Sequence, residues 1–144
     1  MADEKIRIGF VVNDVATEKD DYTTIRLARK AAARRHDVAF VGIGDFIYDW
    51  RGTICAMATI AKKTRFKNDK NFLAHLQADD ARRERIELEK YDILMLRSDP
   101  AEELGKRSWA PSSSLLFAQI AADHGVIVLN DPKHLTDAVN KTYF

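Results

Sequence analysis

Ile6-Arg7-Ile8-Gly9-Phe10-Val11-Val12-Asn13-Asp14 opens the passage that decides the fold; a helix-forming stretch from Thr23 to about Arg35 and the run Val38-Ala39-Phe40-Val41-Gly42-Ile43-Gly44-Asp45 complete it. The first run is short, apolar and mostly β-branched or aromatic after Ile6, the pattern of a strand buried on both faces. Asn13 and Asp14 end it with turn chemistry. Thr23 or Thr24 is placed to cap the helix, with Ile25, Leu27 or Ala28, and Ala31 or Ala32 facing inward and five arginines or lysines facing out. Val38 to Ile43 reads as a second strand closed by Gly44-Asp45. Strand, helix and strand within about 40 residues predict parallel pairing through a right-handed crossover.

The same alternation continues toward the C-terminus. Thr53 to Ile60 reads as a strand, and Phe46 to Gly52 as the loop before it. Lys62 to Lys90 is heavily charged and reads as an excursion: a loop, then a helix drawn from Phe72 to Leu88, outside the sheet. Asp92 to Arg97 is a further strand, broken by Ser98-Asp99-Pro100. After a polar loop from Ala101 to Ala110, Pro111 starts a helix whose buried face is expected to carry Leu115, Leu116, Ile120 and Ala121, with Gly125 as its left-handed terminator. Val126 to Leu129 is the last strand. Asp131 as N-cap and Pro132 at the first helical position start a last helix that carries Lys141. Alternating strands and helices predict an α/β, three-layer Rossmann-like domain with a mainly parallel sheet. No repeat or linker divides it, so residues 1–144 are expected to form a single domain.

Composition narrows the function classes. In 144 residues, 46% are hydrophobic and 31% charged, the balance of a globular domain. A formal net charge of +1 gives no global field toward nucleic acid or an anionic membrane. The basic run Lys62, Lys63, Arg65, Lys67, Lys70 is offset by Asp79, Asp80, Glu84, Glu87 and Glu89. Neither a nucleic-acid nor a membrane partner is expected. The one cysteine, Cys55, excludes an internal disulfide and fits a reducing compartment; with no signal-peptide core, the expected location is cytoplasmic. The histidines lack metal-ligand spacing, so no metal site is expected, and no catalytic nucleophile motif is present. Gly42-Ile43-Gly44 lacks the third glycine of a dinucleotide fingerprint and reads as a tight turn.

Ligands of open α/β sheets bind beyond the carboxyl ends of the strands. Those ends carry Asn13 and Asp14, Gly44 and Asp45, Arg97 to Asp99, and Asn130 and Asp131. Arg97, Asp99 and Asn13 are therefore the candidate substrate-binding residues. A guanidinium fork there suits a carboxylate or phosphate, although an arginine at a strand end reads on its own as a partner for a nearby aspartate. Lys141 on its own reads as a solvated helix residue.

Three pieces, in order, resemble the N-terminal, pre-ATP-grasp domain of prokaryotic glutathione synthetase and its ATP-grasp relatives: Arg7 to Asn13, Tyr91-Asp92-Ile93-Leu94-Met95-Leu96-Arg97-Ser98-Asp99-Pro100, and Val128-Leu129-Asn130-Asp131-Pro132 through Leu135, Asp137, Asn140 and Lys141. Gly44-Asp45-Phe46 stands where the family has Gly-Asp-Leu. The resemblance implies an enzyme that uses ATP and Mg2+ to activate a carboxylate as an acyl phosphate and joins it to an amine. It implies Arg97 as a contact to an amino-acid or peptide substrate and Lys141 as a contact to the ATP phosphates. It further implies that the ATP-grasp domains lie outside this chain, that the fragment alone is inactive and holds no tightly bound cofactor, and that the parent protein forms a homodimer or tetramer. Ser98, Ala101, Asn13-Asp14, Asp131, Asn140 and the stretch Glu102 to Ala110 depart from the family's residues. They fall where substrate would sit, so a ligase joining another amino acid or peptide, including relatives of the ribosomal-protein glutamate ligases, fits as well. The alternative is a stand-alone flavodoxin-like small-molecule-binding or receiver-type signalling module. Against a receiver, the central strand ends in Arg97-Ser98 and the later order is Pro132-Lys133.

Overall fold

Successive residues of an extended strand point to opposite faces, so a run with no polar face must be covered on both sides. The first strand, β1 (Arg7–Val12), obeys this: Ile8, Phe10 and Val12 pack on one face while Val11 packs on the other. In the computed structural model, which describes residues 4–99, 102 and 105–132, it lies inside a six-stranded sheet. The further strands are β2 (Asp37–Tyr48), β3 (Ile54–Ile60), β4 (Arg82–Glu87), β5 (Ile93–Leu96) and β6 (Ile127–Leu129), in the spatial order β4-β3-β2-β1-β5-β6. β2, β1, β5 and β6 run parallel, and β3 and β4 are added antiparallel at one edge. The sheet is mainly parallel and the domain is α/β, as the alternation predicts.

Helices α1 (Thr23–Ala33) and α2 (Asp69–Gln77) cover one face. Ile25, Ala28 and Ala32 of α1 and Phe72, Leu73 and Leu76 of α2 pack against Ile8, Phe10, Val12 and Phe40. Phe10 stacks on Phe40 at 5.4 Å between ring centroids. Helix α3 (Ala110–Asp123) covers the other face with Leu115, Ala118 and Ala121 against Val11, Ile43, Leu94 and Leu96.

Four expectations need correction. Gly44-Asp45 does not close β2. The register shifts between Val41 and Phe46, and the strand continues to Tyr48, so Phe46 is in the sheet and Gly42-Ile43-Gly44 form no tight turn. The region 62–90 holds the expected loop and helix, but the helix is Asp69–Gln77 and not Phe72 to Leu88, and a strand follows it. Asn68 caps α2 by accepting from the Asn71 amide, α2 buries Phe72 in the core, and the chain then returns as β4. Arg82-Arg83-Glu84-Arg85 is too charged for a central strand, yet an edge strand tolerates and uses such charge against edge-to-edge association. Leu116 is exposed, and Ala118 and Ser114 share the buried face instead. Neither Thr23 nor Thr24 caps α1: Tyr22 occupies the N-cap without a side-chain bond, and the Thr24 hydroxyl is engaged elsewhere.

Both crossover helices end in the same pattern. At α1 the His36 amide donates to Ala31 and the Arg35 amide to Ala32; at α3 the Val126 amide donates to Ala121 and the Gly125 amide to Ala122. This double bond set closes a helix through one left-handed residue. Gly125 fills that position at φ +95°, as expected, whereas Arg35 fills it at φ +67° with a side chain attached.

Candidate functional site

The carboxyl end of β5 is pinned from both sides. The Arg97 amide donates to Val11 of β1 (2.8 Å), and the Asn130 side chain donates to the Leu96 carbonyl (2.7 Å). Asn130 adopts φ +63°, a conformation asparagine tolerates better than most residues. Asn13, at the end of β1, is buried and exchanges two bonds with Asp99: its amide nitrogen donates to the Asp99 carbonyl (2.8 Å) and its oxygen accepts from the Asp99 amide (2.6 Å). The segment carrying Arg97 is therefore tied to both neighbouring strands.

The Arg97 side chain is exposed, and its Nε donates to the Thr24 hydroxyl (3.0 Å). Among the described residues no bond fixes its terminal amino groups. The guanidinium is thus oriented through one edge while its fork remains available, the arrangement that suits a carboxylate. It lines a cleft of about 400 Å³ between the loop after β1, the start of α1 and the segment after β5. Asn13, Arg97 and Asp99, read from the sequence as substrate-binding candidates, all line this cleft. Lys141, read as the nucleotide contact, lies outside the described residues.

Glu18, Thr24 and Glu102 complete the walls and were not read from the sequence as site residues. The loop that presents Glu18 is held firmly. Asp14 caps a short 3-10 turn (Val15–Thr17) by accepting from the Ala16 amide, and Gln77 at the end of α2 donates to the carbonyls of Val15 (2.8 Å) and Glu18 (3.1 Å). Glu18 Oε2 is buried and has no hydrogen-bond partner. Burial, helped by the Glu102 charge and opposed by Arg97, pushes the Glu18 carboxyl up to about 7. Arg107 buttresses the loop from the other side, donating to the Asn13 carbonyl (3.2 Å) and facing Asp14 at 3.5 Å. Gly44 permits this approach: a Cβ there would stand 3.1 Å from the Arg107 Nη2. No periodicity or motif marks Glu18 or Arg107, because their partners come from separate loops.

A larger cleft, about 770 Å³, lies at the opposite edge of the sheet beside Arg7, Asp37 and Lys62. Much of its positive charge is countered locally, Lys5 by Asp37 and Arg82 by Glu84. It is remote from the strand ends where α/β sheets bind ligands, so size does not make it the site.

The class defined by this architecture is a Rossmann-like α/β domain, with the Arg97 guanidinium in a cleft at the carboxyl ends of its parallel strands. The chain matches the family described as prokaryotic glutathione synthetase, N-terminal domain, over residues 6–136, and it belongs to that family. No curated protein matches it. Among the described residues no helix is long and apolar enough to cross a membrane.

Proposed function

We propose that this domain is the substrate wall of an ATP-dependent carboxylate–amine ligase, with Arg97 holding the carboxylate of an amino-acid or peptide substrate. The observation that carries this reading is the Arg97 guanidinium, anchored through Nε to Thr24 with its fork open to the cleft. Family membership supports the reaction class. Asn13 acts by holding the backbone of Asp99, and so the cleft wall, in place.

The described cleft does not fit ATP. Among the described residues that line it, Glu18, Asp21, Asp99 and Glu102 stand with one cation, Arg97, and would repel a triphosphate. The reading therefore leaves the nucleotide and Mg2+ to Lys141 and to ATP-grasp domains, in a cytoplasmic enzyme that pairs or forms tetramers. In the ligase that joins this domain to ATP-grasp domains, Arg97→Ala should raise KM for the acid substrate by about tenfold to a hundredfold, the loss of a charged hydrogen bond. Lys141→Ala should impair ATP use instead. Steady-state ADP release tests both, and unchanged kinetics in both variants would remove the assignment.

A further inference from the structure

The cleft of about 770 Å³ where β1 and β2 begin has a charge balance unlike that of the whole chain. Eight lysines and arginines line it against three carboxylates, in a protein whose formal net charge is +1. All three carboxylates are already engaged: Asp37 by Lys5 (3.0 Å), Glu84 by Arg82 (2.8 Å) and Glu87 by Lys90 (3.2 Å). Lys62 and Arg85 reach Asp80 and Asp49, which do not line the cleft. Arg35 and Lys63 are left with no acidic partner among the described residues.

Strand pairing brings these two cations to one edge. Ala39 of β2 lies opposite Ile60 of β3, and the Ala61 amide donates to the Val38 carbonyl (3.3 Å). Arg35 and His36 precede this pair and Lys63 follows it. The Ile6 amide donates to His36 Nδ1 (3.3 Å), which leaves the ring proton on Nε2 as a third donor. No described residue accepts from it.

Arg35 also sits in the left-handed region at φ +67°, where an arginine lowers stability and a glycine would not. Helix α1 does not need its charge, because Lys30 already supplies a cation to the last turn. Backbone strain kept beside a cleft points to a use for the side chain. A singly charged anion would leave one of the two cations unmatched. A phosphate monoester brings nearly two negative charges and three acceptor oxygens. Ala32, Val38, Ile60, Ile86 and the Tyr91 ring give the same cleft an apolar lining for the rest of such a ligand, and its volume is that of a small-molecule site.

We propose that this cleft binds a small phosphate monoester, its phosphate on Arg35, His36 and Lys63 and its apolar body along the lining that includes Tyr91. The site lies at the opposite edge of the sheet from Arg97 and stands or falls independently of it.

The test is an NMR titration of the full chain, at constant ionic strength, with phenyl phosphate, inorganic phosphate and benzoate. Phenyl phosphate should shift the amides of Arg35, His36 and Lys63 saturably, and should bind about tenfold or more tightly than either of the others. Arg35→Gly leaves the end of α1 in a conformation glycine prefers, so the fold is kept, and it should weaken that binding by about tenfold. Lys63→Gln should do the same. Absence of a saturable shift at these amides would overturn the proposal. So would inorganic phosphate or benzoate binding as tightly as phenyl phosphate, or unchanged affinity in either variant. Binding of an oligouridylate with phenyl phosphate unbound would assign the surface to a nucleic-acid chain and overturn the small-ligand reading.

Discussion

Replacing Glu18 with glutamine should stabilise the protein above neutral pH and leave its stability nearly unchanged in acid. In the folded chain the Glu18 carboxyl is pushed by burial from 4.5 up to about 7. An acid whose folded value is raised resists ionisation in the native state. Below 4.5 both states carry the proton and no penalty exists; between 4.5 and 7 the unfolded chain ionises first; above 7 the penalty is complete. At about 1.4 kcal/mol per unit, the shift corresponds to about 3 kcal/mol at face value. Glu18 is only half-buried, and solvent screening reduces this to about 1–2 kcal/mol. Glutamine keeps the shape and cannot ionise, so Glu18→Gln should gain about 1–2 kcal/mol near pH 8 and about nothing near pH 4. Urea unfolding of both proteins at both pH values gives the four stabilities. Asp49 and Asp69, whose carboxyls sit below the usual range through hydrogen bonds from the Thr53 amide and the Arg29 side chain respectively, lose stability in acid in both proteins and cancel in the difference. A gain of equal size at both pH values, or a loss near pH 8, would refute the reasoning.

Other perturbations follow from the fold. Arg35→Gly should raise stability by about 1 kcal/mol, since glycine adopts the left-handed terminator of α1 without the side-chain clash. Gly125→Ala, at the matching position of α3, should lower stability by about 1 kcal/mol. Thermal or urea unfolding of the two variants checks the pair, and a destabilised Arg35→Gly would contradict the account of that helix end. Leu94→Ala should cost about 2–5 kcal/mol by opening a cavity between β5 and α3. A loss below about 1 kcal/mol would mean that this layer is looser than its burial indicates.

In the central part of the sheet, β1 and the start of β2 were legible as apolar runs separated by a helix, and they became neighbours in space; β5 was legible as an apolar run, but its pairing with β1 joins strands distant in sequence. β4 was not legible. Arg82 to Glu87 carries helix formers and charge, and only its place at the edge makes that composition tolerable. The continuation of β2 beyond Gly44-Asp45 was hidden by turn residues that the bulge absorbs. At the site, Arg97, Asp99 and Asn13 could be named because strand ends in an α/β sheet converge on one edge. Glu18 and Arg107 lie in polar loops whose partners are 59 or more residues away in sequence, so their roles depend on tertiary contacts that no local pattern encodes.

The account's central claim is that the fork of Arg97 receives a substrate carboxylate, and the Nε–H resonance of Arg97 reports on it directly. Titrating the full chain with γ-glutamylcysteine and glycylglycine should move that resonance together with the backbone amides of Glu18, Thr24 and Asp99, and Arg97→Ala should abolish the response of all three amides. A resonance that stays fixed while the amides around Arg7, Lys62 and Arg82 at the opposite edge shift would place the ligand in the other cleft and contradict the claim.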